Sequence, residues 1–188
     1  MPKNIAILAS GGGSNAERII QHFQNIKSVQ VVLIVSNKPN AYVLQRAANH
    51  NIDSVVIDKA LFQSKQEMLS ILEKKNIDFI ALAGFLWLVP SYLVRAYPKR
   101  IVNIHPALLP KYGGKGMYGK RVHQAVFDNN ETSTGMTIHF VDEQYDEGHI
   151  IFQDSVELLP SDTPDIIAKK VLELEHKHYP SVIESVLK

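Results

Sequence analysis

The chain has 188 residues, 45% of them apolar and 21% charged, the profile of one ordinary globular domain, which excludes disordered, collagen-like and disulfide-scaffold classes. Twenty Lys and Arg against nineteen Asp and Glu leave a formal charge of +1, too even for a broad face that grips nucleic acid or a membrane surface, so small ligands are expected. The lack of cysteine removes disulfides, thiolate nucleophiles and Cys-held metal centres, and agrees with a reducing compartment.

Residues 1–4 lead directly into Ile5-Ala6-Ile7-Leu8 with no signal-peptide cleavage pattern, so a cytoplasmic location is expected. Strand-length apolar runs then recur at 4–9, 30–35, 54–57, 78–83 and 101–105, most of them continuous rather than alternating, as in strands covered on both faces of a parallel sheet. Helix-compatible segments separate them at 15–24, 41–48, 62–75 and 91–97. The longest apolar run, 79–89, has eleven residues, too short for the roughly 20 that span a bilayer. Alternation of this kind predicts an α/β fold over 1–188: an open, mostly parallel, Rossmann-like sheet with helices on both faces.

After His105 the character changes. Pro106, Pro110, Gly113, Gly114, Gly116 and Gly119 mark a long loop over 106–120, expected to act as a lid. A helix near 121–128 follows, then strands at 135–141 and 149–157 joined by the acidic turn 142–148, which predicts antiparallel pairing of these last strands. Thr163-Pro164 suits the start of a closing C-terminal helix to about residue 187, with Pro180 expected to kink or interrupt it.

Candidate chemistry begins at Ser10-Gly11-Gly12-Gly13-Ser14-Asn15, a glycine-rich turn between a strand and a helix. Helix-start N–H groups and the dipole make such a turn an anion site, and otherwise it is a plain tight turn. No Lys follows, so it is not a P-loop. Asn103 and His105 lie two apart at a strand end closed by Pro106, so both emerge on one face at the carboxyl edge where open sheets bind ligands; capping of a loop is the alternative. The acidic turn reads as a solvated charge run unless a carboxylate reaches His105, where it would raise the imidazole pKa. His139 lines the same cleft or sits satisfied in the core. His176 and His178 diverge on their helix and do not form a metal pair, and His22, His50, His123 and His149 read as structural or surface.

The Ser10–Asn15 turn, Ala83-Gly84-Phe85, the Asn103-Ile104-His105-Pro106 segment with Leu109-Pro110-Lys111, Gly135-Met136-Thr137-Ile138-His139-Phe140, Asp146-Glu147-Gly148 and Glu175-His176 occur in this order. With them the chain closely resembles the phosphoribosylglycinamide formyltransferases, within the folate-dependent formyltransferase superfamily. The resemblance implies formyl transfer from 10-formyltetrahydrofolate, a co-substrate, to the amine of glycinamide ribonucleotide in purine synthesis, with no metal, by a monomer or homodimer. It implies a catalytic trio of Asn103, His105 and Asp146. It also implies a phosphate site at Gly13, Ser14 and Asn15, with Glu175 at the ribonucleotide's other end. The folate pocket is implied to comprise Lys65, Leu86, Trp87, Leu88 and Val89, together with Asn103 and the turn Asp142, Glu143, Gln144, Tyr145 and Asp146. Trp87 and Leu172 depart from the family pattern, which has a basic and a polar residue there.

The residue types suit that chemistry independently. An amine attacking a formamide carbon builds negative charge on oxygen, which the Asn103 amide N–H and a protonated His105 can meet, while Asp146 steadies the imidazolium and helps move a proton. A formyltetrahydrofolate hydrolase is the nearest rival, and a catalytically silent phosphometabolite-binding module is a rival of another class.

Overall fold

A computed structural model describes residues 1–188. Its strands are β1 (Lys3–Leu8), β2 (Val29–Ser36), β3 (Asp53–Val56), β4 (Phe79–Leu82), β5 (Ile101–His105), β6 (Ser133–Phe140) and β7 (Ile150–Glu157). The helices are α1 (Ser14–Phe23), α2 (Tyr42–Asn49), α3 (Lys59–Gln63), α4 (Lys65–Lys74), α5 (Ser91–Ala96), α6 (Lys120–Asp128) and α7 (Pro164–Leu187). All seven strands form one sheet in the order β3-β2-β1-β4-β5-β6-β7. The first five pair in parallel, whereas β6 runs antiparallel to both β5 and β7. This is the expected open α/β sheet with antiparallel C-terminal strands and a closing helix. No helix is long and apolar enough to cross a membrane.

The continuous apolar runs follow from burial on two sides. Along β1, Ile5, Ile7 and Ala9 enter one core with α1, α2 and α7, while Ala6 and Leu8 enter a second with α3, α4 and α5. Each of these residues is fully buried, and a buried Ile or Leu contributes about 1.5–3 kcal/mol. The two edge strands, β3 and β7, carry no buried residue.

The helix anticipated at 62–75 is two helices. Asp58 Oδ1 accepts from Leu61 N–H at 2.8 Å to start α3, and Ser64 Oγ accepts from Glu67 N–H at 3.4 Å to start α4. Ser64 and Glu67 have capping-box spacing, a local signal that outcompetes continuation of one helix. Conversely, Pro180 does not interrupt α7, which runs 24 residues through it. Burial of Tyr179, Pro180 and Ile183 holds the helix together across the lost backbone bond. The Tyr179 hydroxyl donates to the Leu82 carbonyl at 2.8 Å, with the Val102 carbonyl at 3.2 Å.

Strand order reverses between β1 and β4, the position at which open sheets leave a crevice at their carboxyl ends. There Ser10 N–H donates to Gly84 O at 3.0 Å, and Ser10 Oγ accepts from Leu86 N–H at 3.0 Å. The crossover thus fixes the glycine-rich turn against the segment after β4.

Candidate active site

A cleft of about 820 Å³ opens over this crevice. Asn103, His105 and His139 line it from β5 and β6, and Asp146 from the turn after β6. The antiparallel register sets Asn103 opposite His139 and His105 opposite Thr137. His139 Nδ1 bonds the Phe140 carbonyl at 2.8 Å, and a carbonyl only accepts, so Nδ1 carries the proton. His139 Nε2 is then a bare acceptor and takes a hydrogen bond from Asn103 Nδ2 at 3.1 Å. The other Asn103 amide hydrogen faces Asp146 Oδ1 at 3.4 Å. Asn103 Oδ1, rather than the amide N–H anticipated from sequence, is therefore the atom left for a ligand.

His105 is 4% exposed. Its Nε2 donates to the Tyr112 carbonyl at 2.8 Å, and its Nδ1 lies 3.4 Å from Asp146 Oδ2. Gly114 N–H donates to the same oxygen at 2.9 Å, so the 106–120 loop touches two of the three trio residues. Burial pushes the Asp146 carboxyl up, but His105 and the Gly114 N–H outweigh it and hold the group below its usual range. The acidic turn is thus more than a solvated run.

The expected rise in the His105 pKa is not what results. Burial pulls it below the ordinary histidine value, and the opposing pull of Asp146 and the Tyr112 carbonyl only partly compensates. Sequence supplied the carboxylate but not the depth at which it meets the ring.

Asp146 has φ +58°, a left-handed conformation that reverses the chain under the sheet end. Gly148 permits the same turn to close, since a Cβ there would lie 1.7 Å from the Phe140 carbonyl oxygen. Thr137 secures the other side: its hydroxyl donates to Ala107 O at 2.7 Å and accepts from Leu109 N–H at 3.0 Å.

At the glycine-rich turn, Gly13 precedes α1 with φ +68°, and no side chain caps the helix start. The Gly11, Gly12 and Gly13 carbonyls are tied away, to Val43 N–H at 3.1 Å, Arg46 Nε at 2.8 Å and Glu17 N–H at 2.9 Å. The unpaired N–H groups at the helix start remain as anion donors. Arg46, which sequence reading missed, also pairs with Glu17 at 3.0 Å. Asn15 Nδ2 donates to Glu175 Oε2 at 2.6 Å, while Asn15 Oδ1 is sealed without a partner. Burial pushes the Glu175 carboxyl up to about 7 against the lowering pull of Asn15.

The opposite wall is apolar. Leu86, Trp87, Leu88 and Val89 line the cleft, and Trp87 packs with Phe62 and Phe85 at ring-centroid distances of 5.7 and 6.0 Å. Gln144 and Tyr145 face it from the acidic turn. Of the anticipated residues, Gly13, Ser14, Lys65, Asp142 and Glu143 are not on the cleft wall. Gly13 and Ser14 stand at the start of α1, next to the wall residue Asn15, Lys65 is exposed at the start of α4, and Glu143 turns to Arg95 at 3.8 Å. His123 was read as structural or surface, yet it lines the cleft.

The formyl transferase family profile matches residues 3–183. A chloroplastic phosphoribosylglycinamide formyltransferase from Arabidopsis thaliana is 43% identical over 98% of this chain, and one from Bacillus subtilis is 36% identical over 98% of this chain and 95% of its own length. The chain spans 65% and 61% of the lengths of the Arabidopsis and Vigna unguiculata relatives. The crystal structure of phosphoribosylglycinamide formyltransferase from Bacillus halodurans superposes with a TM-score of 0.89 at 38% identity, covering 99% of this chain and 96% of the other.

Proposed function

The chain belongs to the formyl transferase family, and from that premise we infer that it moves a formyl group from 10-formyltetrahydrofolate to the amine of glycinamide ribonucleotide, giving the formylated ribonucleotide and tetrahydrofolate, in purine synthesis in the cytoplasm. One observation carries the reading. The Asn103–His105–Asp146 cluster stands in a cleft with an N–H-rich helix start and a buried carboxyl for a phosphorylated substrate, and an aromatic-backed apolar wall for a flat heterocycle.

In this reading the N–H groups from Gly13 to Asn15 take the phosphate, and Glu175 takes the far end of the ribonucleotide. Leu86, Trp87, Leu88 and Val89 sandwich the pterin against Gln144, Tyr145 and Asp146. Lys65, Asp142 and Glu143, being off the wall, meet only the outer parts of the folate. Asn103 Oδ1 accepts a hydrogen from the attacking amine and orients it. His105, when protonated, donates to the formyl oxygen as that oxygen gains charge. Nε2 is held by the Tyr112 carbonyl in the structure, so the loop must yield that hydrogen as substrate arrives, which makes 111–120 a lid. Asp146 balances the imidazolium and, directly or through water, passes the amine's proton to the departing folate nitrogen.

The test is tetrahydrofolate release from 10-formyltetrahydrofolate with and without the ribonucleotide. Release that requires the ribonucleotide, with one formylated product per folate, is expected. Equal release in its absence would instead identify a hydrolase.

A further inference from the structure

Two histidines, His123 and His176, keep a buried ring nitrogen without a partner, and of the two only His123 lines the cleft. His22, His50 and His178 each meet a carboxylate at 2.7 or 2.8 Å, and His139 has both nitrogens bonded. His123 is 7% exposed, and its Nδ1 is sealed from solvent with no partner. The residue sits on the buried face of α6 between Val122 and Val126, where an aliphatic side chain would pack without any desolvation cost. The ring nevertheless lines the cleft. A feature that costs stability and faces a ligand site points to binding rather than packing.

The chemistry of the ring follows from the orphaned nitrogen. A buried N–H without an acceptor is rarer than a buried acceptor without a donor, so Nδ1 is the bare nitrogen and Nε2 carries the proton. Nε2 is the nitrogen not sealed in protein, which leaves it facing the cleft. Burial, and secondarily the charge of His105, holds the ring below the ordinary histidine pKa, so it is a neutral donor. His105 is thus its titratable neighbour on one side. On the other, α6 packs against α7, which carries Glu175. The apolar folate wall is built from different elements.

We propose that His123 is a binding residue for the ribonucleotide, donating its Nε2–H to an uncharged oxygen of the ribosyl-glycinamide portion, between the phosphate and the reacting amine. This rests on the formyl-transfer reading above. A neutral donor suits that place, because a second cation beside His105 would weaken the charge His105 must carry.

The test is steady-state kinetics with glycinamide ribonucleotide and 10-formyltetrahydrofolate on His123→Leu and His123→Gln, beside thermal unfolding. Gln can place an amide N–H near the position of Nε2, and Leu cannot. His123→Leu should keep or raise the melting temperature, raise the ribonucleotide KM about 10-fold, the worth of one neutral hydrogen bond, and leave the folate KM unchanged. His123→Gln should restore most of the loss. A folded His123→Leu with an unchanged ribonucleotide KM, an equal rise in both KM values, or a Gln variant as poor as Leu would overturn the proposal. Should His123→Leu not fold, ¹⁵N-histidine NMR of the wild type decides. An Nε2–H ring whose signal moves on adding ribonucleotide supports the assignment, and an Nδ1–H ring or an unmoved signal overturns it. A wild type that does not turn over the ribonucleotide would overturn the functional reading itself, a result distinct from any of these.

Discussion

Replacing Gly13 with alanine tests the geometry of the glycine-rich turn with a single methyl group. That methyl would lie 2.5 Å from Val43 Cγ2, 2.6 Å from Val43 Cβ and 3.1 Å from Val43 Cα. Val43 has no room to retreat, being fully buried and tied through its own N–H to Gly11 O at 3.1 Å. Two costs add. Holding a non-glycine residue at φ +68° costs about 1–2 kcal/mol, and overpacking a rigid contact costs about 1–3 kcal/mol. Gly13→Ala should therefore lose about 2–5 kcal/mol, a large share of the 5–15 kcal/mol typical of a domain. Urea unfolding of Gly13→Ala, Val43→Gly and the double variant separates the two costs, because glycine at position 43 removes both the Cβ and the Cγ2 that the new methyl would strike. The double-mutant cycle should return a favourable coupling of about 1–3 kcal/mol and leave the backbone cost in place. The ribonucleotide KM should rise in Gly13→Ala, since the turn aims the donors that follow it. A variant within about 0.5 kcal/mol of wild type, or a cycle with no coupling, would refute this account of the turn.

His105→Ala should lower kcat by about 10²-fold or more, as loss of an oxyanion donor does elsewhere, with both substrates binding within a few-fold of wild type in equilibrium titrations. Asp146→Asn should lower kcat strongly and move the His105 NMR titration further down, because it removes the neighbour that pulls that pKa up, whereas Glu143→Gln, paired only with Arg95 at 3.8 Å, should be nearly silent. Glu175 gives a pH signature of stability. Its folded pKa of about 7 lies above the usual 4.5, so between those values the native state keeps a proton that the unfolded chain has lost, and stability falls as pH rises through that window. Glu175→Gln should remove that slope and be more stable than wild type at pH 8 by up to roughly 3 kcal/mol, measured as urea midpoints at pH 4 and 8, while its ribonucleotide KM worsens.

The sheet was legible because burial on two faces leaves a plain mark: Ile80, Ala81 and Leu82 can read only as interior. The trio was legible in part. Asn103 and His105 sit at a strand end, where a period of two puts them together without further knowledge. Asp146 needed the resemblance, since nothing local in its turn distinguishes it from Glu143. The antiparallel register that sets His139 opposite Asn103 is a long-range fact with no local trace, and so is the reversal of roles on the Asn103 amide. The place of His123 on the cleft was not legible, because its neighbours Val122 and Val126 have the same spacing in a packed helix as beside a cleft. The break at Ser64 could have been found from its spacing to Glu67.

Tyr179 acts as a gauge between two ends of the molecule. Its hydroxyl reaches the Leu82 and Val102 carbonyls, at 2.8 and 3.2 Å, and Val102 is the residue before Asn103, while Glu175 lies one helical turn before Tyr179 on α7. A single phenol therefore sets the span from Glu175, proposed above to take the ribonucleotide, to Asn103, proposed to orient the amine. Heat that loosens this one helix changes the span before it disturbs the interior strands, so grip and alignment fail together. Thermal inactivation is accordingly expected to run ahead of the melting of the sheet, and activity and sheet circular dichroism that fall together on heating would refute this.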